Sequence, residues 1–401
     1  MGAWCAKQKE KASTLLNVQD TTELNLTHLH GTKGLGTLGN PLCRGLFIHS
    51  AIVVTPDGVG IGLLDAITWA RPPEELGKAK TRKERPWEEK ESYRWWEVIQ
   101  RSEERAACPG LLLHVSDRES DIYDLFEAAA KAMYRLLVRA KSDRSGFTEE
   151  KIRFDSLWET AATWLPLPQS RKIHLAARPP KDGHPALAAR SATVELRYKR
   201  VYVEAPGERK GGVWMTALLV QEVETPDGVE AVEWRLLTTD EISSDDAAWQ
   251  YADWYVYRWV IEEYHKCLKT GCKAEKRQFE ERDHYEVALA IMLLASCRLV
   301  MMTKLARTQP TLPAATVLAP EEEEVLLAHA ASKGVAPQTP MTVELAVRWI
   351  ARLGGYLDRK SDGPPGWLTL WRGFLRLQAM VEGYRLARAS PSLEKAPKRS
   401  G

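Results

Sequence analysis

The sequence predicts a mixed α/β fold with a β-rich insertion and a helical C-terminal region. Three observations carry that prediction. Hydrophobic runs of strand character alternate with helix-prone stretches between Thr14 and Arg139. From about Ser145 to Glu233, short alternating or apolar runs broken by Pro and Gly take over. After Asp245 the apolar spacing turns helical and stays so for most of the remaining chain.

In order, TLLNVQD (Thr14 to Asp20) predicts a strand that ends in an acid. HGTKGLGTLGN (His30 to Asn40) is glycine-rich but lacks the Gly-Lys-Ser/Thr ending of a phosphate loop, so it predicts a flexible loop. Leu46 to Val54 and Val59 to Trp69 flank Pro56-Asp57-Gly58, which predicts a hairpin. Arg71 to Arg85 reads as a polar connection and Glu88 to Ala107 as a helix. LLLHVSD (Leu111 to Asp117) is a second strand ending in an acid, followed by a helix from Asp121 to Ala132 and a strand from Tyr134 to Arg139. Three strands, a helix, a strand, a helix and a strand is the element order of a ribonuclease-H-like core. The expected organisation is a core in two parts, 1–144 and 234–308, split by the insertion at 145–233 and followed by a helical region at 309–401. Gln309 to Glu324 reads as a Pro-rich, then acidic linker, with helices at Met341 to Leu353 and Trp367 to Leu386.

Hydrophobic content of 44% and charged content of 27% are those of a soluble globular chain. Nothing after Met1 reads as a signal peptide, and the apolar run Val287 to Met302, interrupted by Arg298, predicts a buried helix and no membrane contact. Six scattered cysteines show no disulfide rhythm, which predicts a cytoplasmic protein. Cys267 and Cys272 with His265 have the wrong spacing for a zinc ribbon or finger. With a net charge of +2, any polyanion must be met by a local positive field, as in GKAKTRKER (Gly77 to Arg85) or on the stretch 251–280.

On a continuous helix over 251–280, Tyr255, Arg258, Glu262, Lys266 and Lys269 fall in one narrow arc opposite an apolar face that includes Val256 and Val260. Spacing alone is met by a solvated surface with Arg258–Glu262 and Glu262–Lys266 pairs. A strand-end acid taken singly is a helix cap or a turn former. Together, Asp20, Asp117 and Glu262 can form a compact oxygen-ligand site suited to Mg²⁺ or Mn²⁺. Two such ions about 4 Å apart support in-line phosphoryl displacement.

The words around these residues carry a resemblance. The order Tyr255, Arg258, Glu262, Lys269 within YRWVIEEYHKCLKTG resembles the Tyr–Arg–Glu–Lys signature of bacterial DDE insertion-sequence transposases of the insertion-sequence-four and transposon-five group. VQDTTELNLTHLH and VSDRESDIYDLF look like that family's two Asp motifs, WRLLTTD like its tryptophan motif, and ARLGGYLDRKSDGPPGWLTLWRGFLRLQAMVEGY like its C-terminal dimerisation region. The resemblance implies a ribonuclease-H-like fold in which Asp20, Asp117 and Glu262 are the catalytic, metal-binding triad for two Mg²⁺ ions, with Mn²⁺ as a substitute. It implies that Tyr255, Arg258 and Lys269 hold DNA phosphates, that Trp234 and Trp259 stack on a flipped base, and that Lys266 and Arg118 are further DNA contacts. A salt bridge explains either of the last two as well, and core packing explains Trp234. The implied partners are transposon-end and target DNA and a second copy of the chain.

Family members carry an end-recognition region ahead of the first Asp motif, and so little chain precedes Asp20 that the resemblance predicts a form lacking it. The expected activity is cut-and-paste transposition by strand cleavage, hairpin formation and strand transfer. Its alternatives are a truncated partner that inhibits a full-length transposase by dimerising with it, and a metal nuclease without strand transfer.

Overall fold

The computed structural model describes residues 13–72, 85–177, 180, 186–334 and 340–389. The first elements are β1 (Leu15–Asn25), β2 (Gly36–Thr37), β3 (Arg44–Val54), β4 (Gly60–Trp69), α1 (Tyr93–Ala106), β5 (Leu112–Ser116), α2 (Tyr123–Ala132) and β6 (Arg135–Arg139). A β-rich stretch follows with β7 (Gly146–Thr148), β8 (Arg153–Phe154), α3 (Leu157–Ala162), β9 (Arg171–Leu175), β10 (Arg190–Glu204) and β11 (Gly212–Glu222). The chain then runs through β12 (Glu233–Thr238), α4 (Asp245–Val256), α5 (Trp259–Lys266), α6 (Arg282–Thr308), α7 (Pro320–Ser332), α8 (Val343–Leu353) and α9 (Trp367–Ala389).

The twelve strands among the described residues share one sheet, in the order β2-β3-β1-β5-β6-β12-β11-β10-β7-β8, with β4 on β3 and β9 on β10. β1 pairs antiparallel with β3 and parallel with β5, and β5 pairs parallel with β6. β12 runs antiparallel to both β6 and β11, so the β-rich stretch extends the same mixed sheet. Side chains that alternate along a strand go to opposite faces. Leu218 and Val220 of β11 join the core under α4, α5 and α6, while Met215, Ala217 and Leu219 join Trp95, Trp96, Phe126 and Trp158 from α1 to α3. The sheet is thus covered on both sides at its centre, which explains why β3, β5 and β11 are buried along nearly their whole length.

Four expectations need correction. β1 does not stop at Asp20 but runs on to Asn25, because TTELN continues the ladder against Gly45 to His49. The stretch 251–280 is not one helix. At Tyr257 and Arg258 the backbone switches to tight three-residue bonds, from Tyr257 N–H to the Trp254 carbonyl and from Arg258 N–H to the Tyr255 carbonyl. After α5 a π-helical turn spans Cys267–Gly271. The supposed linker contains α7, which has Pro320 in its first turn and Glu321, Glu322 and Glu323 beside the positive helix end. The buried Glu322 carboxylate caps it, accepting from Ala319 N–H at 2.8 Å and from the Arg298 guanidinium.

α6 is longer than the apolar run suggested and is not buried all round. It is long and apolar enough by length and composition to cross a membrane. Here Tyr285, Leu289, Met292 and Leu293 pack inward while Val287, Ile291 and Leu294 are exposed. In the helical C-terminal region α8 and α9 meet at two glycines. A Cβ on Gly354 would stand 1.9 Å from the Thr369 carbonyl oxygen, and one on Gly373 1.7 Å from that of Ile350. Of the basic run GKAKTRKER, residues 77–84 lie outside the described residues.

Candidate active site

Two sheet registers place the acids. Val18 of β1 stands opposite Val115 of β5, so Asp20 and Asp117, each two residues further on, are neighbours on adjacent strands. Adjacent strands are about 4.8 Å apart. Asp117 lies just past the end of β5, and one of its oxygens caps the turn at Arg118–Ser120, accepting from Glu119 N–H at 2.9 Å. It is therefore a cap as well as a candidate ligand. Asp20 accepts from the Thr21 amide at 2.8 Å through one oxygen. Glu262, in the first turn of α5, brings the third carboxylate down from the helical layer.

Arg258 joins these groups. Both terminal nitrogens of its guanidinium donate to one Glu262 oxygen at 3.2 Å, and one of them is 3.7 Å from Asp20. Burial disfavours the Arg258 charge, but Tyr255, Asp20, Glu262 and Asp117 together outweigh it and hold the cation above its usual range. Burial, then the charges of Asp117 and Glu262, push the Asp20 carboxyl up to about 7, against the opposing effects of Arg258 and the Thr21 amide. The three acids therefore interact around a single guanidinium.

Among the described residues, no three His, Cys, Asp or Glu side chains stand close enough to hold one ion as they are. Glu262 is turned onto Arg258 instead. The donor chemistry nevertheless fits a hard divalent cation: carboxylates alone, one of them raised to about 7 by its burial and then by its acidic neighbours.

Beneath Asp20 runs a buried polar chain. The Thr21 hydroxyl meets His49 Nδ1 at 2.8 Å, His49 Nε2 meets Gln19 Oε1 at 3.3 Å, Gln19 Nε2 meets His114 Nδ1 at 3.2 Å, and His114 Nε2 meets Glu103 at 3.0 Å. Gln19 presents its oxygen to one ring and its amide to the other, so every link has a donor and an acceptor. Burial, reinforced by Arg94, lowers His49 to about 3 and keeps its ring neutral, as that chain requires.

The remaining predicted residues divide. Tyr255 is not on a solvated stripe but 6% exposed, because the break at Tyr257 rotates α4 relative to α5; Val256, expected inside, is 40% exposed. Trp234 of β12 is half-buried, its ring centroid 6.3 Å from that of Tyr255. Trp259 is 59% exposed, with the Arg258 guanidinium 5.6 Å from its ring centroid. The two tryptophans line one groove of about 680 Å³ with Val256, Tyr257 and Ile173. Lys266 and Arg118 are exposed, and Lys269 sits half-buried on the π-helical turn. Among the described residues none of these three forms an ion pair, and the expected Glu262–Lys266 pair is not made. One neighbour escaped the sequence reading: Arg139, the last residue of β6, which donates to the Glu233 carbonyl at 3.1 Å and whose charge, with that of Arg258, opposes the burial that raises the Tyr255 hydroxyl. Its signal was a basic residue closing a short apolar strand, a weak one.

Residues 294–393 match the family model described as the transposase Tn5 dimerisation domain. The matched stretch begins within α6 and takes in α7, α8 and α9. It supports kinship with Tn5-type transposases and the formation of a homodimer.

Proposed function

We propose that this chain is a DDE-type DNA transposase that cuts element ends and joins them to target DNA. The observation that carries the reading is the convergence of Asp20, Asp117 and Glu262 on Arg258 from two neighbouring strands and a helix. The sheet order β4-β3-β1-β5-β6, antiparallel through β1 and parallel beyond it, supports a ribonuclease-H-like core beneath them. The family match at 294–393 supports the class and the dimer.

Asp20 and Asp117 would hold Mg²⁺ or Mn²⁺, joined by Glu262 once Arg258 releases it to a phosphate. When bound, the ions supply the means to activate water or a 3′-hydroxyl and to stabilise the leaving oxygen. The chain's own residues do the rest. Arg258, freed by Glu262, offers a fork suited to phosphate oxygens, and Lys269 and Lys266 add charge without an acidic partner among the described residues. Trp259 and Trp234, lining one groove, can stack on an unpaired base, a contact worth about 1–3 kcal/mol. Arg118 stands next to Asp117 and faces solvent, where a strand entering the site would pass.

The test uses duplexes bearing the inverted repeats that bound the coding sequence, incubated with Mg²⁺. Wild type is expected to yield nicked, then hairpin products, and Asp20→Asn, Asp117→Asn and Glu262→Gln to yield none. Unchanged cleavage in all three variants overturns the assignment; nicks without hairpins would reduce it to a nuclease. The dimerisation match also fits a non-catalytic partner that pairs with an active transposase, and inhibition of such an enzyme by the Glu262→Gln variant measures that role.

A further inference from the structure

Resting on the reading of Asp20 and Asp117 as one acid pair, we propose that Asn17, Gln19, His114 and Glu103 form a register key that holds these two carboxylates level, and so act as positioning residues for the metal site. Side chains alternate along β1, so Leu16, Val18 and Asp20 face the helical layer of α5, while Asn17, Gln19 and Thr21 face α1. On the α5 face the pairing of β1 with β5 is aliphatic on aliphatic: Leu16 stands opposite Leu113 and Val18 opposite Val115. A slip of two residues keeps every side chain on its own face and sets Val18 against Leu113, with little change in apolar burial. That slip would carry Asp20 about 7 Å, from beside Asp117 to beside Val115, which is farther than the ions of a two-metal site are apart. Aliphatic packing alone therefore does not discriminate the register that assembles the acids from one that separates them.

The α1 face supplies the discrimination. Asn17 stands opposite His114, and the amide nitrogens of Asn17, at 2.9 Å, and Gln19, at 3.2 Å, both donate to His114 Nδ1. An amide nitrogen only donates, so Nδ1 accepts twice and the ring proton sits on Nε2, which donates to the buried Glu103 carboxylate of α1 at 3.0 Å. On the other side of β1, Thr21 stands opposite His49, whose ring meets Trp95 of α1 edge-on with centroids 4.4 Å apart. The slip that brings Asp20 to Val115 takes Asn17 from His114 to Leu112 and buries its amide against a leucine. The opposite slip sets Leu15 against His114 and strips both donors from Nδ1. The key has a cost, since Asn17 Oδ1 is buried without a partner among the described residues. A leucine at that position would avoid it. Buried polar groups that lower stability are best accounted for by the register they specify.

The experiment removes the key from the full chain while keeping apolar volume, first by Asn17→Leu alone and then by Asn17→Leu with His114→Leu and Glu103→Met. Mn²⁺ binding is followed by electron paramagnetic resonance of the free ion. Register is followed without metal, by methyl nuclear Overhauser contacts between Val18 and Val115. Both variants are expected to melt no lower than wild type. The triple variant should nevertheless bind Mn²⁺ about 10–100-fold more weakly, and should lose Val18–Val115 intensity in favour of Val18–Leu113. Asn17→Leu should fall between it and wild type, and decides the matter if the triple variant does not fold. Glu103→Gln keeps an acceptor for His114 Nε2 and is expected to retain both readouts, which separates the key from the charge of Glu103. Mn²⁺ affinity and Val18–Val115 contact equal to those of wild type in the key-less variants overturn the proposal. So does weaker Mn²⁺ binding that comes with a lower melting temperature and an unchanged register. Mn²⁺ uptake that Asp20→Asn does not diminish would instead count against Asp20 as a ligand, and the methyl contacts would still decide the key.

Discussion

Gly58 and Tyr257 are pressed together: a Cβ added to Gly58 would lie 2.5 Å from the Tyr257 ring. Gly58 also has φ +83°, a left-handed conformation strained for any other residue. The turn between β3 and β4 therefore braces the point where α4 gives way to α5, one residue before Arg258. Gly58→Ala is expected to cost about 1–3 kcal/mol in urea unfolding, through overpacking and strain together. Adding Tyr257→Ala should recover the overpacking part, since it removes the ring but not the backbone strain. A double variant no more stable than Gly58→Ala would show that the contact carries nothing.

Asp20 makes the fold pH-sensitive. Its carboxyl rises from 3.8 to about 7 on folding, chiefly through burial and the neighbouring acids. A raised carboxyl gives stability that is fully present below the unfolded value and is lost as pH climbs through the folded one. Between pH 3.8 and about 7 the metal-free protein therefore loses on the order of 1–4 kcal/mol on this account. Asp20→Asn should be more stable than wild type at pH 8 without metal, with the advantage shrinking towards pH 4. Mg²⁺ should stabilise wild type more at pH 8 than at pH 6 and leave Asp20→Asn nearly unmoved. Thermal melts at three pH values decide it: equal melting temperatures at pH 8 would remove the charge conflict.

The glycine crossing of α8 and α9 gives a handle on assembly. Gly373→Ala places a methyl against the Ile350 carbonyl, and because that atom is backbone the helices must separate. Sedimentation velocity should show a weakened dimer, and melting an early loss of helix, while DNA-independent features of the sheet persist. A dimer constant equal to that of wild type would place self-association away from this helix pair.

How much was legible depended on whether the governing contacts were local. The hairpin at Pro56-Asp57-Gly58 could be read because turn chemistry is local, and β5, α2 and β6 followed their hydrophobic periods. The extension of β1 past Asp20 could not, since TTELN becomes strand by pairing with β3. The break at Tyr257 was likewise hidden, because neither Gly nor Pro marks it in WYVYRWV and the bend goes with the hairpin packed beneath it. Tyr255 was consequently put on the wrong surface. α7 was missed because its proline and glutamates were taken for linker, although the same residues favour a helix start. The neighbourhood of Asp20 and Asp117 was inferred from strand character. Arg139 became visible only through the parallel register that sets it beside them.

β12 is shared property, since it pairs with β6 on one side and with β11 on the other. Trp234 on that strand and Asp117 at the tip of β5 are separated by about two strand spacings, on the order of 10 Å. No hinge intervenes, only ladder hydrogen bonds. The sheet thus acts as a gauge block. If a base is captured at the tryptophan, the span from it to the acids is preset, and the cutting position is measured out by the width of three strands.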